Sequence, residues 1–159
     1  MRMTAAVKAS LLALGLLGMQ AGIASPLLAL KARRAPRFTY AGGTQELQAG
    51  CQGELQLTHT SMIFECPDGA ITIPFNSITD MEYRPSVSRA IKHMKLRWRV
   101  KPSGSGGKSN LFFTVVYRED TSLQALALKV LPEDMRPYLA QLELSTGKRI
   151  HVWDYRGFD

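Results

Sequence analysis

The segment most suggestive of chemistry is PSGSGGKS at 102–109, which closes on Gly107-Lys108-Ser109 in the manner of a phosphate-binding loop. Such a loop needs a leading glycine for its tight turn and a following helix whose N-terminus cradles the phosphates. Pro102 occupies the place of that glycine, and the apolar run after the loop has strand character. The segment therefore reads as a hairpin loop. His59, His93 and His151 fall in separate elements without a cysteine or carboxylate at ligand spacing, so neither a zinc site nor a nucleophile–base pair is visible. Glu133, Asp134 and Glu143 suit helix electrostatics, and Asp80 and Glu82 suit a sheet edge. The expectation is a protein that is not an enzyme and takes no cofactor or metal.

The two cysteines offer covalent chemistry of another kind. Cys51 and Cys66 lie just outside the arms of one hairpin, and its register decides how they meet. A loop of Thr58 and His59 sets Leu55 against Met62, Gly53 against Phe64 and Cys51 against Cys66. A loop of His59 and Thr60 sets Leu57 against Met62, which leaves Cys66 opposite Gly53 and diagonal to Cys51. A Cys51–Cys66 disulfide is one expectation, tied to export into an oxidising compartment. Two unpaired thiols are the other.

Charge is the third lead. The 159-residue chain carries a formal net charge of +7, and between Arg84 and Arg118 it places nine Lys or Arg and no acidic residue. Arg89, Lys92, Lys95, Arg97, Arg99 and Lys101 are the candidate contacts to an anionic lipid surface or a protein partner. The competing reading is a solvated edge strand whose cations block edge pairing. Nucleic acid is disfavoured, because Trp98 has inward parity and no stacking platform alternates with the bases on the charged face. Oligomeric state has no signature in the sequence.

These residues must be held by a β framework. Residues 53–83 alternate apolar and polar positions through Leu55 and Leu57, Met62 and Phe64, then Ile71 and Ile73, the period of strands that bury one face. Pro67-Asp68-Gly69 supplies a turn, and a fourth run, 77–83, needs a bulge near Asp80 to repair its alternation. Val87, Ile91 and Met94 trace a short basic helix. KLRWRVK at 95–101 has the cleanest alternation of all and reads as a strand with one cationic face. Residues 111–117 are apolar throughout, as in a central strand, and 122–130 form the last strand. A helix follows, with Met135, Leu139 and Leu142 on its apolar face. Pro137 places its regular start near Arg136, and Gly147 ends it.

At the N-terminus, Arg2 and Lys8 precede the apolar run LLALGLLGM, with small residues at Gly22 and Ala24. This is signal-peptide grammar, with cleavage expected after Ala24 and export to the periplasm or exterior. The alternative is an uncleaved anchor over 9–30, for which the cations Lys31, Arg33, Arg34 and Arg37 would hold the domain on the cytoplasmic side. The expected organisation is a signal peptide at 1–24, a flexible basic linker at 25–47 with a short strand at Phe38 and Tyr40, a domain at 48–150 and an extended tail at 151–159.

The phrase GELQLTHTSMIFEC with ITIPFNSITDMEY resembles the opening of bacterial PH-like and GRAM-type domains, and PYLAQLELSTGKRI resembles their closing helix. The likeness covers roughly 47–150. It implies the pleckstrin-homology superfold, a mainly β, seven-stranded antiparallel bent sandwich capped by one C-terminal α-helix, here preceded by an N-terminal apolar helix. Members of that superfold act as lipid-, peptide- or protein-binding modules without catalytic residues. The basic phosphoinositide pattern of the first hairpin loop is absent from Thr58-His59-Thr60-Ser61.

Overall fold

The computed structural model describes residues 34–104 and 110–153. The expected leader or anchor, the Gly107-Lys108-Ser109 end of the loop and the last six residues of the tail lie outside them. Residues 34–159 form a compact unit by themselves, and every described core residue belongs to it. Among the described residues no helix is long and apolar enough to cross a membrane.

The protein is mainly β with one C-terminal helix. The strands are β1 (Phe38–Gly43), β2 (Gln52–Leu57), β3 (Ser61–Cys66), β4 (Gly69–Pro74), β5 (Ile78–Arg84), β6 (Leu111–Glu119), β7 (Ser122–Val130) and β8 (His151–Val152). A short helix α1 (Arg89–His93) follows β5, and α2 (Pro132–Thr146) follows β7. The sheet order is β4-β3-β2-β1-β7-β6-β5-β8. Two antiparallel meanders are therefore joined through β1, which pairs with β2 at Phe38 and Thr39 and with β7 from Thr39 to Gly43. The eighth strand pairs parallel to β5, which makes the sheet mixed.

Each meander sends its alternate apolar residues inward. Leu55, Met62, Phe64, Ile71 and Ile73 meet Met81, Tyr83, Phe113, Val115, Leu126 and Leu128 in one core. Met135 and Leu142 of α2 join it, and the Tyr138 ring stands edge-on to Phe38 with centroids 5.2 Å apart. Burying Met135 and Leu142 completely is worth about 1.5–3 kcal/mol each, against roughly 3 kcal/mol for a proline inside a helix. That balance corrects the expected helix start: α2 is helical from Pro132, straight through Pro137. Gly147 ends it in the left-handed region at φ 66°. The expected bulge is present between Ile78 and Asp80.

Two further expectations are corrected. The short strand expected at Phe38 and Tyr40 is present as Phe38–Gly43, but it stands in the middle of the sheet and not in a flexible linker. Residues 95–101 form no ladder strand; their backbone pairs with the sheet by a single bridge, Val100 to Gly43. The seven strands before the closing helix thus include β1 and omit KLRWRVK. The physical reason lies in β6 and β7, which bury both faces. Phe112, Val116 and Ala127 make a second, outer cluster, and Met94, Leu96 and Trp98 pack down onto it. Alternation in 95–101 records an extended chain lying across an apolar surface, not a place in a hydrogen-bonded ladder. Gly42 permits the crossing, since a Cβ there would come within 2.7 Å of the Pro102 nitrogen.

Candidate anion-binding surface

The outer surface is built from Glu82 upward. In β5 this side chain points to the outer face and is only 4% exposed. Its Oε1 accepts the Ser88 backbone N–H at 2.7 Å, which pins the segment leaving β5. Ser88 then caps α1, its Oγ accepting the Ile91 N–H at 3.3 Å, while Val87 and Ile91 are buried against the outer cluster. Glu82 is therefore no edge carboxylate. Its burial had no sequence signal, because a Glu in an alternating run has the parity of a solvent position.

With the apolar side chains held down, the cations point out. Arg89, Lys92, Lys95, Arg97, Arg99 and Lys101 are all exposed along one strap over the sheet. Arg99 is the member with an ion-pair partner among the described residues, Glu46 Oε1 at 2.6 Å, and its backbone N–H donates to Gly43 O at 3.0 Å. The others have no carboxylate within ion-pair distance among the described residues.

Arg118, at the far end of β6, joins Lys95 and Arg97 around a shallow groove of about 550 Å³ whose remaining polar lining is Thr121, Ser122 and Gln124. Three cations from two separate segments converge there without a carboxylate in the wall, although Glu119 and Asp120 follow Arg118 directly in sequence. Sequence periodicity missed Arg118, because only the hairpin's fold brings it beside residues 95–97.

The first hairpin of the sheet is β1–β2, so its connection is residues 44–51 and not Thr58 to Ser61. This connection, too, lacks Lys and Arg and carries Glu46. Cys51 at its end is bonded to Cys66, with Cα atoms 6.1 Å apart. The ladder pairs Leu57 with Met62 and Leu55 with Phe64, the register in which the cysteines are diagonal. Diagonal placement still permits the bond, because Cys66 stands over Gly53 and meets no side chain there. Among the described residues, the one group of three metal-type ligands that comes together is Cys51, Cys66 and Asp68, and both of its sulfurs are in the disulfide.

The histidines are apart. His59 lines a neutral groove beside Ser61, Thr72 and Asn76; His93 is exposed on α1; His151 Nε2 lies 3.8 Å from Asp80 Oδ1. Among the described residues, the titratable groups pushed away from their ordinary values are tyrosines in the core or packed against it. Burial, with Tyr117 nearby, pushes the Tyr40 phenol up to about 12. Its hydroxyl donates to Gln45 O at 3.2 Å, and Gln45 Nε2 donates to the Tyr117 hydroxyl at 2.5 Å. This network ties the β1–β2 connection to β6.

No protein-family model matches the chain, and no curated protein matches it.

Proposed function

We propose that this chain is a non-catalytic, pleckstrin-homology-like binding module of the cell envelope or exterior, whose cationic strap adheres to an anionic lipid surface. The observation that carries the reading is the outward row of cations at Lys92, Lys95 and Arg97, held without ion-pair partners among the described residues over half-buried Leu96 and Trp98. Unpaired surface cations at fixed spacing contribute about 1 kcal/mol each near a negatively charged leaflet. Support for the superfold comes from the order of the first seven strands, two antiparallel meanders joined through β1 and β7, followed by a core-filling helix. The disulfide supports export, since such bonds persist in oxidising compartments.

Flotation of residues 34–159 with phosphatidylglycerol-containing vesicles tests the reading. Binding is expected at low salt and is expected to vanish near about 1 M salt, where the Debye length falls to roughly 3 Å. Equal binding to neutral vesicles, or none to either, rejects it.

A second reading, a scaffold anchored on the cytoplasmic side, draws on the cations Lys31, Arg33, Arg34 and Arg37. N-terminal sequencing of the expressed protein, with protease accessibility in intact cells, separates the two.

A further inference from the structure

Trp153 follows β8 with 63% of its surface exposed, yet its backbone is held in place: its N–H donates to Tyr83 O at 3.1 Å. A large ring displayed from an anchored backbone offers apolar area to whatever lies outside the protein. The Arg84 guanidinium stands 4.8 Å from the ring centroid. Two open grooves meet at this pair. One, of about 540 Å³, is lined by Arg89 and Lys92; the other, of about 600 Å³, by Arg149 and His151. The nearby carboxylates are already engaged. Glu82 is buried on the Ser88 N–H with Arg84 Nη1 at 3.9 Å, and Asp80 faces His151 at 3.8 Å.

We propose that this edge of the sheet is a membrane-interface dock, in which Trp153 seats its ring at the headgroup level of an anionic bilayer while Arg89, Lys92 and Arg149 meet lipid phosphates. The inference rests on the reading that the cationic strap meets an anionic membrane, and adds an apolar contact to it. An indole has an apolar body and a polar N–H, and prefers the boundary between headgroups and acyl chains. Cations ringing that indole lie at the depth where phosphates lie. Continuity supports a broad, flat partner: Arg89 and Lys92 sit on α1, from which the same strap runs on to Lys95 and Arg97.

The chain has two tryptophans, so W98F leaves Trp153 as sole reporter. Its emission should shift to the blue with phosphatidylglycerol vesicles, be quenched by brominated acyl chains, and stay unchanged with phosphatidylcholine alone. R149A should weaken vesicle binding about fivefold, the equivalent of one adsorbed base. Because Trp98 packs on the outer cluster, the same quenching is also read as the difference between the unaltered protein and W153F, which leaves the fold intact. Unchanged Trp153 emission with flotation preserved overturns the dock and spares the strap. Unchanged emission with flotation lost overturns both. An equal shift with neutral vesicles overturns the role of the surrounding cations.

Discussion

Gly53 faces Cys66 across the β2–β3 ladder, and a methyl group on Gly53 would lie 2.8 Å from the Cys66 Cβ. That Cβ would also collide with the Glu65 carbonyl oxygen of β3, so the glycine both lets the two strands approach and leaves room beside the diagonal cysteine pair. The bond spans 15 residues and ties the β1–β2 connection to the end of β3.

Gly53→Ala should therefore destabilise the protein by roughly 1–3 kcal/mol through overpacking. It should also raise the fraction of free thiol after oxidative refolding. Reducing the unaltered protein should cost about 3 kcal/mol, the loop-closure value for a ring of this size. Urea unfolding with and without reductant, alongside thiol titration, measures both. Unchanged midpoints would deny the disulfide a stabilising role.

Glu82→Ala should free the cationic strap. It removes the acceptor of the part-buried Ser88 N–H, at a cost of up to about 1–3 kcal/mol, the penalty for a fully buried unpaired donor. Amide exchange is expected to accelerate over 86–94 while β6 and β7 stay protected. Limited trypsin digestion should cut first at Arg89 or Lys92. Uniform loss of protection across the sheet would mean that Glu82 supports the whole fold instead.

Arg97→Ala should weaken binding to phosphatidylglycerol vesicles more than Arg99→Ala, although the two residues are neighbours on one face. Arg97 faces the groove with Lys95 and Arg118, whereas Arg99 is already paired with Glu46. Removing Arg97 should cost about 1 kcal/mol, or roughly fivefold in partition. Equal losses would show that net charge, not placement, governs adhesion.

Alkaline pH should unfold the protein through its buried phenols. Burial holds Tyr40 protonated, raising it from 10.0 to about 12 in the folded state. The unfolded chain releases that proton near pH 10, so the contribution is complete below pH 10 and is lost as pH rises towards about 12. Stability measured by urea unfolding should fall across this interval, and Tyr40→Phe should flatten the fall. An unaltered slope in that variant would remove Tyr40 from the explanation.

The alternating runs of 53–83, the bulge near Asp80, the two-sided burial of 111–117 and the Gly147 cap were all legible in the sequence. Each depends on contacts or dihedral preferences within a few residues. Outward cations at 89–101 were legible for the same reason, since side-chain parity survives whether or not the segment joins a ladder. What only tertiary structure decided was partnership at long range. Phe38–Gly43 became a central strand because β7 supplied its other edge, 81 residues on from Thr44 to Ala125. Residues 95–101 left the ladder because the outer faces of β6 and β7 offered an apolar floor that no local pattern reveals. Burial of Glu82, the placing of Arg118 beside Arg97, and the display of Trp153 over β5 likewise arise where distant segments meet. Local periodicity says which way a side chain points; only the folded chain says what is there to meet it.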